Sequence, residues 1–145
     1  MRHYIMEDYD IHRFNDLFGV SPGNEDEHYH GVIQPAHYSA SNRLIFTLAN
    51  IIKYVFRYSF KNGKEDLEKA LWYTRFQIID HDIFISPVWL KNRISIEEYN
   101  SSNTRFNDLQ IKVNTKVDLY NRSCNLHTLR EVEDLLVNAI ENYDA

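Results

Sequence analysis

Several residue types that define particular protein classes are scarce in this chain of 145 residues. A single cysteine, Cys124, cannot form an internal disulfide, so we expect a reducing cytoplasm as the location. Four glycines and three prolines are too few for a fibrous or linker-dominated protein. No apolar run approaches the roughly 18 residues of a membrane-spanning helix, and the first residues lack a secretory leader. We therefore expect no membrane partner.

Acidic side chains are absent from residues 28–64, although the formal net charge of the whole chain is −5. The same stretch carries five lysines and arginines, namely Arg43, Lys53, Arg57, Lys61 and Lys64. The negative overall charge argues against an extended nucleic acid as partner. A local basic block in an acidic protein instead suits a small phosphate-bearing ligand. The alternative is that the block faces an acidic partner subunit.

Helical periodicity of apolar residues is the main structural signal that the sequence carries. It predicts a helix over residues 41–60, which the Asn62-Gly63 turn ends, and a second helix over residues 64–80. Residues 28–38 read as an extended approach to the first helix. The short link should fold the two helices back on each other as an antiparallel pair.

The C-terminal half also predicts helices. Ser95-x-x-Glu98 and Thr128-x-x-Glu131 have the form of capping boxes, each opening a helix, and apolar residues recur on one face over residues 104–120. We therefore predict a mainly α fold of about four or five helices in a single domain spanning residues 1–145, in which residues 81–145 form a helical C-terminal extension.

A second apolar stripe lies on the predicted helix 64–80, in addition to its core stripe. Trp72, Phe76 and Ile79 form it. Two apolar faces on one helix indicate burial on two sides, by the C-terminal helices or by a second subunit. We expect a homo-oligomer from this feature.

Chemistry-bearing residues line up on the facing sides of the two central helices. Asn50, Lys53, Tyr54 and Arg57 follow the spacing i, i+3, i+4 and i+7, which places them on one face of the first helix. The second helix contributes Asp66, Lys69 and Tyr73. A groove between the helices would offer cations for phosphate oxygens and tyrosine rings for a base. The alternative is a salt-bridge network between the helices, for example Arg57 with Asp66.

These same segments resemble a known family. His28-Tyr29, then Asn50-Ile51-Ile52-Lys53-Tyr54-Val55-Phe56-Arg57, then Lys61-Asn62-Gly63 and Asp66-Leu67-Glu68-Lys69-Ala70-Leu71-Trp72-Tyr73 resemble a small phage domain family that includes the nucleotide kinase of phage T7. The resemblance covers residues 28–80. Ala49 departs from it, since the family usually has glycine there.

The resemblance implies a phage protein that handles nucleotides, as a deoxynucleoside monophosphate kinase without a P-loop. The residues that carry over to line the site are His28, Asn50, Lys53, Arg57, Asp66, Lys69 and Tyr73. From the chemistry of the side chains we expect Lys53, Arg57 and His28 to be catalytic. The expected nucleotide-binding residues are Asn50, Tyr54, Lys64, Asp66, Lys69 and Tyr73. ATP is the expected phosphoryl donor, and a magnesium requirement is not evident from the sequence. The alternative is a non-enzymatic phage protein that binds or sequesters a nucleotide or a host factor.

Histidines elsewhere in the chain suggest weaker alternatives. His28-x-His30 with His37 has the residue type of a metal site, and His81-Asp82 resembles the ligand pair of HD-type phosphohydrolases. Neither set has a complete group of ligands around it. We therefore predict no metal site.

Overall fold

The computed structural model describes residues 31–83 and 94–144 of the chain, and the regular structure of these residues is entirely helical. The elements are α1 (Pro35–Ser41), α2 (Phe46–Arg57), α3 (Lys64–Ile79), a 3-10 turn (His81–Ile83), α4 (Ile96–Ser102), α5 (Asp108–Ser123) and α6 (Leu126–Glu141). The prediction of a compact, mainly α fold is confirmed. None of the helices in the described ranges is long and apolar enough to cross a membrane.

The segment before α2 differs from the prediction of an extended approach followed by one long helix over residues 41–60. Pro35 begins a separate helix, since its fixed φ angle and missing N–H suit the first helical position. This helix stops at Asn42, whose side-chain amide donates to the carbonyl of Ile94 at 2.9 Å. Arg43 then adopts a left-handed φ of 53°. These two residues separate α1 from α2, and the helix predicted over residues 41–60 is therefore confined to Phe46–Arg57.

The second predicted helix is confirmed almost residue for residue, because strong local signals bound α3. Gly63 precedes it with a φ of 53°, a conformation that favours glycine. Glu65 and Asp66 in its first turn complement the positive end of the helix dipole. The expected start at Lys64 is observed, and the helix ends one residue before the expected Asp80.

A polar N-cap residue precedes each of the C-terminal helices. The Ser95 cap of α4 is confirmed, since its hydroxyl accepts from the backbone N–H of Glu98 at 3.0 Å. For α5 the expected start near residue 104 was wrong, because Asn107 forms a capping box with Gln110. For α6 the expected Thr128 cap was also wrong. Asn125 caps this helix instead, and Thr128 is buried inside it.

Four longer helices enclose the core. The main contacts run from α2 to α3, from α3 to α6, from α6 to α5 and from α5 back to α2, while α1 packs on α2 and α4 on α5. The fully buried core side chains include Leu48, Ile51, Ile52, Val55, Leu67, Val113, Val117, Leu129, Val132 and Leu136. The arrangement leaves one side of α2 to face α3 and another to face α1.

Candidate functional site

A cavity of about 410 Å³ lies between α1 and α2. This volume is in the range of small-molecule sites, about 300–1,000 Å³. One wall comes from the start of α1 and the other from α2, and the lining residues are Gln34, Pro35, Ala36, Ser39, Ala49, Asn50, Lys53, Phe56 and Arg57. The cavity therefore combines cationic, amide, hydroxyl and apolar groups.

The α2 wall supplies the positive charge of the cavity. Asn50, Lys53 and Arg57 share this wall because positions i, i+3 and i+7 fall on one face of a helix. The side-chain amide of Asn50 donates to the carbonyl of Phe46 at 2.8 Å, which fixes its orientation. Lys53 is exposed and makes no ion pair with a residue of the described ranges. Its ammonium group is therefore available to an anion.

The α1 wall contributes two buried polar side chains that lack hydrogen-bond partners among residues 31–83 and 94–144. Gln34 is 1% exposed, and neither its amide nitrogen nor its amide oxygen is hydrogen-bonded. The buried hydroxyl of Ser39 is also without a partner. Buried polar groups are rarely left unpaired, because losing water without replacement costs about 1–3 kcal/mol each. Two such groups in one cavity wall indicate a place for a polar ligand.

Neither of these two residues was among the expected site residues. Gln34 lies in the segment that was predicted to be extended, where its burial has no local signature. The available signal was Pro35, because proline is common at the first position of a helix. Recognising that helix would have brought Gln34 and Ser39 next to α2.

Arg57 is shared between the cavity and the interface of α2 with α3. Its Nε donates to Oδ2 of Asp66 at 3.2 Å, and the backbone N–H of Asn62 donates to the same oxygen at 3.1 Å. Asp66 is completely buried, and its Oδ1 has no partner within the described part of the chain. This is the salt bridge that the sequence offered as the alternative to a ligand contact. The bond uses one of the five N–H donors of the guanidinium, so others remain for a ligand.

The remaining expected residues lie on the α3 side of α2, outside the cavity lining. The rings of Tyr54 and Tyr73 are nearly parallel, with centroids 6.0 Å apart. Lys69 pairs with Glu65 at 3.3 Å, and its Nζ lies 5.4 Å from the centre of the Tyr54 ring. Lys64 is exposed at the first turn of α3. Lys53 Nζ and Arg57 Cζ lie 5.1 Å and 5.7 Å from the centre of the Tyr54 ring, so this cluster adjoins the cationic wall of the cavity although it is not part of the lining.

Two of the three histidines of the first alternative metal site, His28 and His30, lie outside the described residues. His81 has its Nδ1 2.7 Å from the hydroxyl of Tyr120, which also accepts a hydrogen bond from Gln77 at 3.3 Å. Burial lowers the pKa of His37, which lies on α1 but does not line the cavity. Within the described ranges, no three His, Cys, Asp or Glu residues are grouped as metal ligands would be.

An apolar groove of about 510 Å³ runs along the outer face of α3. It is lined by Glu68, Leu71, Trp72, Arg75, Phe76 and Ile79. Trp72 is 57% exposed and Ile79 is 80% exposed, which is unusual for such large apolar side chains. The helix α6 packs against α3 without covering them. In the described structure, the second apolar stripe of α3 is therefore uncovered.

Comparison with known proteins gives one match. Residues 24–75 match a family model described as a protein of unknown function, DUF3310. The matched segment contains α1, α2 and most of α3, and it overlaps the phage-family resemblance of residues 28–80. The description states no activity and does not link the chain to a phage nucleotide kinase. No curated protein and no solved structure matches the chain.

Proposed function

We propose that this protein binds a nucleotide in the cavity between α1 and α2, with Lys53 and Arg57 against its phosphate. One observation carries the proposal: two cations and two unpartnered buried polar side chains, Gln34 and Ser39, line the same cavity. Cations attract the phosphate, while the neutral groups lack the partners that a polar ligand would supply. An apolar compound would leave the buried polar groups of Gln34 and Ser39 without hydrogen-bond partners.

The two cations suit phosphate in different ways. The ammonium group of Lys53 is a compact charge that can follow a phosphate oxygen, whereas the planar guanidinium of Arg57 offers paired donors. The ion pair with Asp66 holds Arg57 at the edge of the cavity without using all of its donors. The resulting pair can neutralise a phosphate group from one wall of the cavity.

The enzymatic form of the proposal is a deoxynucleoside monophosphate kinase with ATP as the phosphoryl donor. Phosphoryl transfer depends largely on positioning and on charge stabilisation, and the cavity supplies two cations for this. Its lining contains no carboxylate among the described residues, so the geometry favours holding a phosphate more directly than activating a nucleophile. Binding without turnover is the alternative form, a protein that sequesters its ligand.

Calorimetric titration with the deoxynucleoside monophosphates tests the proposal. Lys53→Ala should weaken binding about tenfold to a hundredfold, because a charge-assisted hydrogen bond contributes about 1.5–3 kcal/mol. Lys112→Ala is the matched control, since Lys112 is an exposed lysine on α5 outside the cavity. Equal loss in both variants, or no binding by the unmodified protein, contradicts the proposal. Incubation with ATP, magnesium and each monophosphate then separates a kinase, which forms diphosphates, from a binder.

We further propose that the outer groove of α3 pairs with the same groove of a second copy. The groove is apolar at its centre and carries opposite charges, Glu68 and Arg75, on its border. Arg75 donates through Nε to Glu133 of α6 at 3.0 Å, which leaves its other guanidinium donors for Glu68 of a second copy. An antiparallel pair of α3 helices with its two-fold axis between positions 71 and 72 would bring Glu68 of each copy opposite Arg75 of the other. Such self-complementarity is what a two-fold interface requires.

A further inference from the structure

Gln34 has features that a phosphate site alone does not need. A phosphate group offers oxygen acceptors, which the donors of Lys53 and Arg57 already suit. The carboxamide of Gln34 presents a donor and an acceptor side by side, and both are buried and unpartnered. A phosphate would use only the donor. The full complement of this amide is a ligand edge that also places an acceptor next to a donor.

Nucleobases carry such edges. Adenine presents its N6 amino donor beside the N7 acceptor, and glutamine recognises this pair through two hydrogen bonds. The enzymes that take a base out of its stack also identify it by hydrogen bonds to its edge. A sugar phosphate without a base has no planar edge of this kind. The neutral wall of the cavity therefore matches the part of a nucleotide that its cationic wall does not.

The helix α1 explains how Gln34 is presented. Gln34 precedes Pro35 in extended conformation, with φ of −75° and ψ of 153°, and its side chain does not cap the helix. Its backbone carbonyl accepts the N–H of Tyr38 at 3.1 Å, which anchors the residue through its main chain. The backbone of Gln34 is thus fixed, whereas its side-chain amide forms no hydrogen bond with the described residues.

From these observations we infer that Gln34 reads the base of the bound nucleotide, through paired hydrogen bonds from its carboxamide to one edge of the ring. Gln34 is then the residue that separates nucleotides from other sugar phosphates. This inference rests on the proposed nucleotide site and adds the specificity of that site. Lys53 and Arg57 supply affinity for the phosphate, and Gln34 supplies selection for the base.

The test compares a nucleotide with the same molecule lacking its base. Calorimetry of the full chain should show at least tenfold tighter binding of the best-bound deoxynucleoside monophosphate than of 2-deoxyribose 5-phosphate. Gln34→Met keeps the length and shape of the side chain but removes both polar ends. In this variant the affinity for the nucleotide should fall to that for 2-deoxyribose 5-phosphate, which should itself be unchanged.

Three other outcomes would overturn the inference. Equal binding of both compounds by the unmodified protein shows that no base is read, which overturns the inference and leaves the phosphate site standing. A preference that persists in Gln34→Met shows that another residue reads the base, and the inference is again overturned. Binding of neither compound contradicts the nucleotide site itself, and the inference falls with it.

A measurement on the unmodified protein covers the case in which Gln34→Met does not fold. The side-chain amide resonances of Gln34 in a ¹⁵N-labelled sample should shift when the nucleoside monophosphate is added. They should not shift with 2-deoxyribose 5-phosphate at equal saturation. Shifts of the same size with both compounds overturn the inference, because the amide then responds to the sugar phosphate alone.

Discussion

Asp66 holds Arg57 at the junction between the cavity and the interface of α2 with α3. The carboxylate of Asp66 is fully buried and accepts from Arg57 Nε at 3.2 Å, while the side chain of Arg57 remains 20% exposed. The same oxygen of Asp66 accepts the backbone N–H of Asn62, so one carboxylate fixes both the loop before α3 and the cation of the cavity. Asp66 therefore stabilises the fold and, in the proposed function, also positions Arg57 for the phosphate.

Asp66→Asn should lower the free energy of unfolding by about 1–3 kcal/mol, because a buried charged partner is removed while Arg57 keeps some contact with water. Urea unfolding measures the change. Glu65→Gln is the control, since it makes the same change of charge at the neighbouring position. Glu65 is exposed and pairs only with Lys69 on the surface, so its loss should cost about 0.5 kcal/mol or less. Equal costs in the two variants would show that burial of Asp66 has no energetic role.

Gly63→Ala should cost about 1–3 kcal/mol of stability. The backbone of Gly63 has φ of 53° and ψ of −125°, a region that is essentially restricted to glycine. A Cβ atom would also lie 2.6 Å from the hydroxyl oxygen of Tyr143. Tyr143 is an exposed side chain, so its ring can move aside, and we expect most of the cost to come from the backbone.

Two comparisons separate these contributions to the Gly63→Ala effect in thermal and urea unfolding. In a Tyr143→Ala background the substitution should retain most of its cost. Gly31→Ala is a control for a positive φ without a close neighbour, since Gly31 has φ of 70° and no atom of residues 31–83 or 94–144 beyond its chain neighbours lies within 4 Å of its ideal Cβ. Complete rescue of Gly63→Ala by Tyr143→Ala would assign the cost to the contact instead.

The helix α3 was predictable because its signals are local. The Asn62-Gly63 turn, the two acids of the first turn and the apolar period all lie within the segment itself. The helix α1 was not predicted, since it is only seven residues long and ends where Asn42 bonds to Ile94, 52 positions away. Contacts that are so distant in the chain have no signature in a local pattern.

The candidate site was likewise predictable only where its residues lie within a single helix. Helical spacing places Asn50, Lys53 and Arg57 on one wall, because that relationship is internal to α2, whereas Tyr54, which was expected on the same face, is not part of the lining. Which helix faces this wall depends on how α2 is rotated in the bundle, and the sequence does not state it. Gln34 is identified by its buried side-chain amide without hydrogen-bond partners among the described residues, and this property exists only in the folded structure.

Trp72→Glu should convert a dimer into a monomer, because it places a charge at the centre of the proposed two-fold interface on α3. Light scattering should give about twice the chain mass of 17.3 kDa for the unmodified protein and the chain mass for the variant. Leu119→Glu is the control, since Leu119 is an exposed apolar residue on α5 that does not line the groove. A monomer before any substitution would contradict the interface.

Tyr99→Phe should leave stability at pH 7 unchanged or raise it by up to about 1 kcal/mol. The hydroxyl of Tyr99 is buried and has no hydrogen-bond partner in the portion of the chain that the structure describes, so its removal relieves an unsatisfied polar group. The ring still stacks on Tyr38 at 4.6 Å between centroids, a contact that phenylalanine keeps. Urea unfolding at pH 7 measures the difference. A loss of more than about 1 kcal/mol would show that the hydroxyl has a partner or a packing role.

The Tyr99→Phe variant should also lose less stability than the unmodified protein as the pH rises above 10. Burial raises the pKa of Tyr99 well above its ordinary value of 10.0, with a smaller contribution from the nearby Tyr38. Above pH 10 the unfolded chain therefore loses a proton that the folded chain retains, so stability falls as the pH rises. Each such tyrosine contributes a slope of about 1.4 kcal/mol per pH unit. Burial also raises the pKa values of Tyr38 and Tyr120, so the unmodified protein should lose stability steeply above pH 10. Tyr99→Phe should remove one such contribution, and identical slopes for the two proteins between pH 10 and 11.5 would contradict the assignment.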